Sequence, residues 1–327
     1  MRVVVVGAGI SGLIAARELL ALGAEVLVVD KGRSPGGRLA TRRIGDATLD
    51  HGAQFFTVRT PAFQRTVDDW VERGLVTIWT NGFGNDDGHP RYVATGGMNS
   101  LAKDLAVGVE VACSTMAFAV RPGDTRPWQL IIDDGTARDA DRVVITAPLP
   151  QAFALLVDAG VELDEQLMRT DYDRTIGLLA TLDRPPAIEH PGGVQGPGDD
   201  VSFVADNVAK GVSASPAVTV HASAAWSEAH WDDDVEQLRS QLLELARPWF
   251  EPATVLEAQV KKWRFATPRS VWPEPCWVSA DGGIVLAGDA FDGPRVEAAH
   301  NSGLAAAHAL TRGPRGQSAG AHRADTT

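Results

Sequence analysis

The chain has 327 residues, 44% of them hydrophobic and 22% charged, a globular balance that excludes collagen-like, wholly disordered and disulfide-scaffold classes and predicts about two domains. Its 30 basic and 42 acidic residues give a formal charge of −12 with no Lys/Arg-rich run, so nucleic acid and anionic membrane are poor partners. Cys113 and Cys276 stand far apart and outside any CxxC spacing, which implies neither a disulfide framework nor a zinc site and fits a reducing, cytoplasmic setting.

Arg2–Val6 is a short apolar, β-branched run that reads as a buried parallel strand. It is too short for the apolar region of a signal peptide and stops at a glycine turn. No apolar run approaches the ~20 residues of a membrane span. Five lysines against twenty-five arginines, with abundant Ala and Gly, suggest a GC-rich bacterial coding source.

Gly7-Ala8-Gly9-Ile10-Ser11-Gly12 follows the strand at once, and residues 13–20 continue as a helix that Gly23 ends. Glu25–Val29 is a second strand, closed by Asp30. A GxGxxG motif alone is weak, but here it leaves a strand, opens a helix, and is followed by an acid eighteen residues after its last glycine. Gly7 allows the tight turn, Gly9 removes the side chain that would block a pyrophosphate, and Gly12 lets helix and strand approach closely. Ile10 and Ser11 then open a helix whose free N–H groups face the phosphates. Asp30 is placed to accept hydrogen bonds from a ribose. These features predict dinucleotide binding.

The next segment favours FAD over NAD. Lys31 leads a basic, glycine-rich loop through Gly36, Gly37 and Arg38 toward 50–56, DHGAQFF. Such glycines allow a second backbone approach to the phosphates and ribityl chain, and the arginines neutralise charge. Residues 107–113, including Val111, and 142–148 read as further strands of this domain. Ala117–Val120 and Trp128–Ile132 read as a hairpin turned at Pro122-Gly123-Asp124. Residues 150–255 are less regular, with an amphipathic helix predicted from about Asp233 to Leu245 and closed by Pro248. Toward the end, Gly283–Ala290 reads as a buried strand entering a Gly288-Asp289 turn, followed by an Ala-rich helix to Leu310. Asp289 can hold a ribityl hydroxyl, and the helix start at Val296 can stabilise negative charge on the flavin pyrimidine edge.

Six stretches carry a resemblance: residues 7–43, GAGISGLIAARELLALGAEVLVVDKGRSPGGRLATRR; 50–57, DHGAQFFT; 96–106, GGMNSLAKDLA; 143–148, VVITAP; 262–268, KWRFATP; and 286–307, LAGDAFDGPRVEAAHNSGLAAA. They resemble the amine-oxidase-like flavoprotein superfamily and, within it, the renalase branch. The resemblance implies an α/β fold of amine oxidase / p-hydroxybenzoate hydroxylase type. A Rossmann-like FAD-binding domain (1–55, 96–150 and 256–312) would carry an inserted mixed-sheet substrate domain (56–95 and 151–255), with 313–327 a flexible tail. It implies non-covalent FAD, contacted also by Gly52, Ala53, Gln54, Phe55, Val111 and Asn301.

Renalases oxidise 2- or 6-dihydro isomers of NAD(P)H to NAD(P)+ and reduce O2 to H2O2. The resemblance therefore implies a dihydronicotinamide dinucleotide and O2 as reactants, in a monomer or homodimer. Two departures from true amine oxidases favour this branch. Those enzymes resemble one another in a lysine near flavin N5, where this chain has Gly177, and in an aromatic residue before the last helix, where it has Arg295. A fixed cation there would repel an ammonium substrate and suit an anion.

The candidate catalytic residues are His51, Gln54, Trp263, Arg295 and His300. His51 and Gln54 read either as hydrogen-bond donors to flavin or carboxamide, or as loop-fixing groups. Trp263 reads as a stacking wall or as core. Asn301 reads as a flavin contact or a cap. Arg264 and Arg269 are surface or phosphate-facing. His221 and His230 are too scattered for a metal site, and no metal is predicted. Alternatives remain an FAD-dependent amine oxidase or desaturase, and a flavin-bound sensor without turnover.

Overall fold

The computed structural model describes residues 1–84 and 87–311; the tail expected over 313–327 lies outside them. The strand β1, Arg2–Val6, is central in a six-stranded sheet because its four valines are buried on both faces. The sheet order runs Trp277–Val278, Ile284–Leu286, Arg142–Ile145, β1, β2 (Glu25–Val29) and Glu110–Ala112. All pairs are parallel except the edge strand Trp277–Val278, which runs against its neighbour.

Helix α1, Ile10–Ala21, ends with Gly23 at φ +82°, as expected of a helix stop. It packs against the last helix, Val296–Thr311. A Cβ on Gly303 would lie 2.3 Å from the Ser11 carbonyl oxygen, so only glycine permits this approach. The first helix and the last described helix thus pack together over one face of the sheet. On the other face, Ala117–Pro122, Trp128–Ile132 and an unexpected third strand, Ala137–Ala140, form an antiparallel meander.

The inserted sheet has the order Gly193–Gln195, Val201–Asp206, Ala217–Ala222, Tyr172–Leu182 and Val255–Pro268, antiparallel throughout. Alternation divides Tyr172–Leu182. Ile176, Leu178 and Ala180 pack under helix Val235–Phe250, while Thr175, Gly177 and Leu179 face the first domain. Pro248 does not close that helix. The chain stays helical to Phe250 because Ala246 and Phe250 are buried in the sheet's core, which offsets the lost N–H at one late position.

The layered α/β fold with a second inserted sheet is as expected, but packing draws the boundaries elsewhere. Residues 256–268 pair with Tyr172–Leu182 along their length and so belong to the inserted sheet. Phe63, Val67 and Trp70 share one core with α1, and Leu149, Ala152 and Leu167 pack on the opposite face of the six-stranded sheet. These segments follow their apolar faces, which no composition shift in the sequence marks. No helix among the described residues is long and apolar enough to cross a membrane.

Candidate active site

Two hollows meet at the glycine turn. A cleft of about 850 Å³ runs past Asp30, Lys31 and Gly32, and a cavity of about 400 Å³ lies beyond it against His51, Phe55 and Arg295. Gly9, Gly36, Arg38, Thr146 and Trp263 line both, so the two form one waisted channel.

The waist follows from glycine geometry. Gly7 sits at φ +108°, and a Cβ on Gly12 would fall 1.9 Å from the Gly7 carbonyl oxygen, whereas one on Gly9 would meet nothing within 4 Å. Gly12 is thus buried in the turn itself, while the open side of Gly9 faces the waist. Gly36 donates its N–H to the Ala8 carbonyl at 2.9 Å and lays the second glycine loop on the first. Helix α1 starts here without a side-chain cap, and Ser11 Oγ is buried with no partner among the described residues. Uncapped N–H groups, an orphaned hydroxyl and an open glycine face fit a diphosphate.

Asp30 is more committed than expected. Its carboxylate accepts from the N–H groups of Ala8 and Gly32, both at 2.6 Å, so it braces both turns while its remaining lone pairs face the cleft. Arg38 and Asp289, read separately in the sequence, form a two-pronged ion pair at 2.6 Å per contact. That pair ties the glycine loop to the C-terminal strand end at the waist. Gly52, Ala53, Phe55, Gly288 and Val296 line the cavity, Gly37 the cleft.

Trp263 and His51 form one wall. The indole Nε1 donates to the His51 carbonyl at 2.7 Å and the rings stack at 5.4 Å. Burial, helped by the positive charges of Lys261 and Arg42 and opposed by Asp50, lowers the His51 pKa to about 4. Its Nδ1 is buried without a partner. The imidazole is therefore neutral at pH 7.

Four candidates lie elsewhere. Gln54 is buried and set back, its amide nitrogen donating to the Asp50 and Gly52 carbonyls and its oxygen accepting from Lys210. His300 bridges Thr66 and Asn301 and packs on Phe63, while Asn301 donates to Thr60. Both face helix Pro61–Glu72 because the helix turns about 100° per residue, and Val296 and Ala299 already take the cavity side. The side chain of Val111 packs on the core around α1, since the channel lies beyond the strand ends.

Residues that the sequence does not place in a site also meet here. His221 lines the cavity, standing opposite Gly177 in register. A Cβ on Gly177 would come within 3.3 Å of the His221 ring, so the glycine makes room for the imidazole. Burial is the main cause lowering the His221 pKa to about 4, and its Nε2 has no partner. Beneath the DHGAQ loop, Lys210 and Asp50 form a fully buried ion pair at 2.8 Å, which joins the inserted domain to the first. Buried Glu297 accepts from the N–H groups of Arg59 and Thr60. Gly177 was the signal available for His221, but its neighbour is set by strand pairing that the sequence does not display.

The waisted channel, with an open glycine face and an uncapped helix start at its neck, fits FAD. Residues 67–311 match the model of the flavin containing amine oxidoreductases and residues 5–70 that of an NAD(P)-binding Rossmann-like domain; the chain belongs to the flavin-containing amine oxidoreductase family. It is 29% identical to mouse renalase over 172 residues, 48% of this chain and 50% of that one. It is 33% identical to a putrescine oxidase of Kocuria rosea over 132 residues, 38% and 27% of the two chains. The matches span half or less of these curated relatives. Among solved structures, putrescine oxidase bound to putrescine superposes with a TM-score of 0.71 at 15% identity, covering 94% and 98% of the chains. A fatty acid isomerase of P. acnes gives 0.65 at 12%, covering 92% and 97%. Identities this low speak for the fold alone.

Proposed function

We propose that this protein holds FAD non-covalently and oxidises 2- or 6-dihydro isomers of NAD(P)H to NAD(P)+, with O2 reduced to H2O2. Bound FAD would supply the hydride acceptor and the route by which the electron pair, with a proton, reaches dioxygen. The chain's own residues bind, orient and exclude water. Ser11 and the N–H groups at the start of α1 hold the diphosphate, with Arg38 beside them, and Asp30 takes the ribose hydroxyls. Trp263, Phe55 and the His51 ring wall the reaction cavity.

One observation carries the substrate class: among the described residues the cavity offers no unengaged carboxylate to an ammonium group. Its lining contains one acid, Asp289, already engaged by Arg38, together with Arg295 and two neutral imidazoles. Arg295 Nε is itself buried without a partner. An amine would meet fixed positive charge and find no counterion. A dihydropyridine carrying a carboxamide needs neither a carboxylate partner nor a protein base, and its anionic tail suits cations rather than acids. His51 and His221 supply hydrogen bonds to the carboxamide, and the walls hold the donor carbon in reach.

A second reading, oxidation of an amine, is favoured by the likeness to putrescine oxidase. Anaerobic mixing separates the two. Dihydronicotinamide isomers should bleach the flavin within one turnover and an amine panel should leave it yellow. Bleaching by an amine alone overturns the proposal.

A further inference from the structure

In a chain with a formal charge of −12, two cations beside the cavity stand together without acidic partners. Lys261 lies opposite Gly177, two residues before Trp263, so it shares the sheet face that carries Thr175, His221 and Trp263. Arg42 comes from the hairpin of Thr41–Ile44 with Ala47–Asp50 and pairs with Leu49. Leu49 packs on Leu179 of the same sheet face, which sets Arg42 over that face as well, since opposed residues of an antiparallel pair point the same way. Neither side chain has a hydrogen bond or ion pair among the described residues. Burial, and after it the Arg42 charge, pushes the Lys261 pKa down, and both cations disfavour a charge on His51.

Like charges held together without a counterion cost free energy in the free protein, and an acidic chain has carboxylates to spare for them. An anion arriving from solution would offset that cost. We propose that Arg42 and Lys261 form the subsite for the phosphate or pyrophosphate of the substrate, just outside the cavity past His51. This deepens the dinucleotide reading and rests on it: the ring enters between Trp263 and His221 while the charged tail is held at the rim.

The test uses the FAD-loaded protein and binding calorimetry with inorganic pyrophosphate and NAD+ as probes, and nicotinamide riboside as a probe without phosphate. The wild type should bind both phosphate-bearing probes, more weakly as salt rises. Arg42→Glu with Lys261→Glu should weaken both by at least about tenfold and flatten the salt dependence, with nicotinamide riboside unchanged. Arg42→Lys with Lys261→Arg should retain binding, and Arg42→Ala with Lys261→Ala serves if the reversed pair does not fold. Absence of pyrophosphate binding to the wild type, or equal affinity in wild type and charge-reversed protein, overturns the subsite. Equal loss of nicotinamide riboside overturns it too. Flavin bleaching by dihydro-dinucleotides in the wild type reports separately on the parent reading. Bleaching that survives charge reversal at unchanged substrate concentration dependence sinks the subsite alone. No bleaching, with pyrophosphate binding lost on reversal, sinks the parent reading alone.

Discussion

The glycine turn and the cavity wall are built by opposite means. At residues 7–12 the turn itself is made by near neighbours: Gly12 touches Gly7, α1 begins where β1 stops, and Asp30 at the end of the next strand braces Ala8, while Gly36, Thr146 and Gly303 pack on it from outside. At the wall, Thr175, His221, Lys261 and Trp263 come from three strands and meet only through register. A binding loop for a common group can be written in consecutive residues. A substrate wall is assembled from side chains distant in sequence, and this is why one was legible and the other was not.

Breaking the turn should have the largest effect. Gly12→Ala sets a methyl against a backbone oxygen that cannot move, so the purified protein should lose FAD, read as the flavin-to-protein absorbance ratio. Gly9→Ala sharpens the comparison, because its methyl meets empty space. The apoprotein should keep its melting temperature while FAD affinity falls at least about tenfold by titration.

Next comes the clamp between the two regions. Lys210→Met strands the buried Asp50 carboxylate, whose other oxygen accepts from Thr41 Oγ1 and the Met98 N–H. The loss should be about 3–5 kcal/mol by denaturant titration, with part of it recovered when Asp50→Asn is added.

A smaller effect appears on acidification. His51 and His221 both drop from the usual 6.5 to about 4 in the folded protein. The unfolded chain therefore binds more protons between those values, and stability should fall as pH falls from 6.5 toward 4. His221→Gln should shrink that slope in a pH series of melting curves. Between pH 7 and 8 neither imidazole changes charge, so turnover should show no histidine titration there.

The smallest effect is expected at Gly177→Ala. Its Cβ presses on a ring that can shift by a few tenths of an ångström, so FAD content should stay constant and KM should move a few-fold. A fall in FAD content instead would mean that the wall and the turn are not separable.

The C-terminal helix shows where sequence reading stops. Its start at Val296 is legible from Gly288-Asp289 and the Ala-rich run, yet His300, a catalytic candidate on sequence, and Asn301, a flavin contact or a cap on sequence, face Thr60, Thr66 and Phe63. Spacing predicts that a helix exists, but which stripe faces a cavity depends on the partner that covers the others. The same holds for Gln54, a polar residue in a promising motif whose hydrogen-bonding capacity is consumed by the DHGAQ loop and Lys210.

By itself the sequence determined the strand–turn–helix that receives a dinucleotide, the second glycine loop, the Gly-Asp turn before the last helix, and the absence of side chain at residue 177. Each is a property of neighbouring residues, set by allowed dihedral angles and by how closely backbones approach. Tertiary structure alone decided that His221 fills the space at Gly177, that Arg38 grips Asp289, and that Lys210 is buried on Asp50. Those pairs are between 44 and 251 residues apart in the chain, and their meeting follows from sheet register and buried apolar faces, which a linear string does not specify pair by pair.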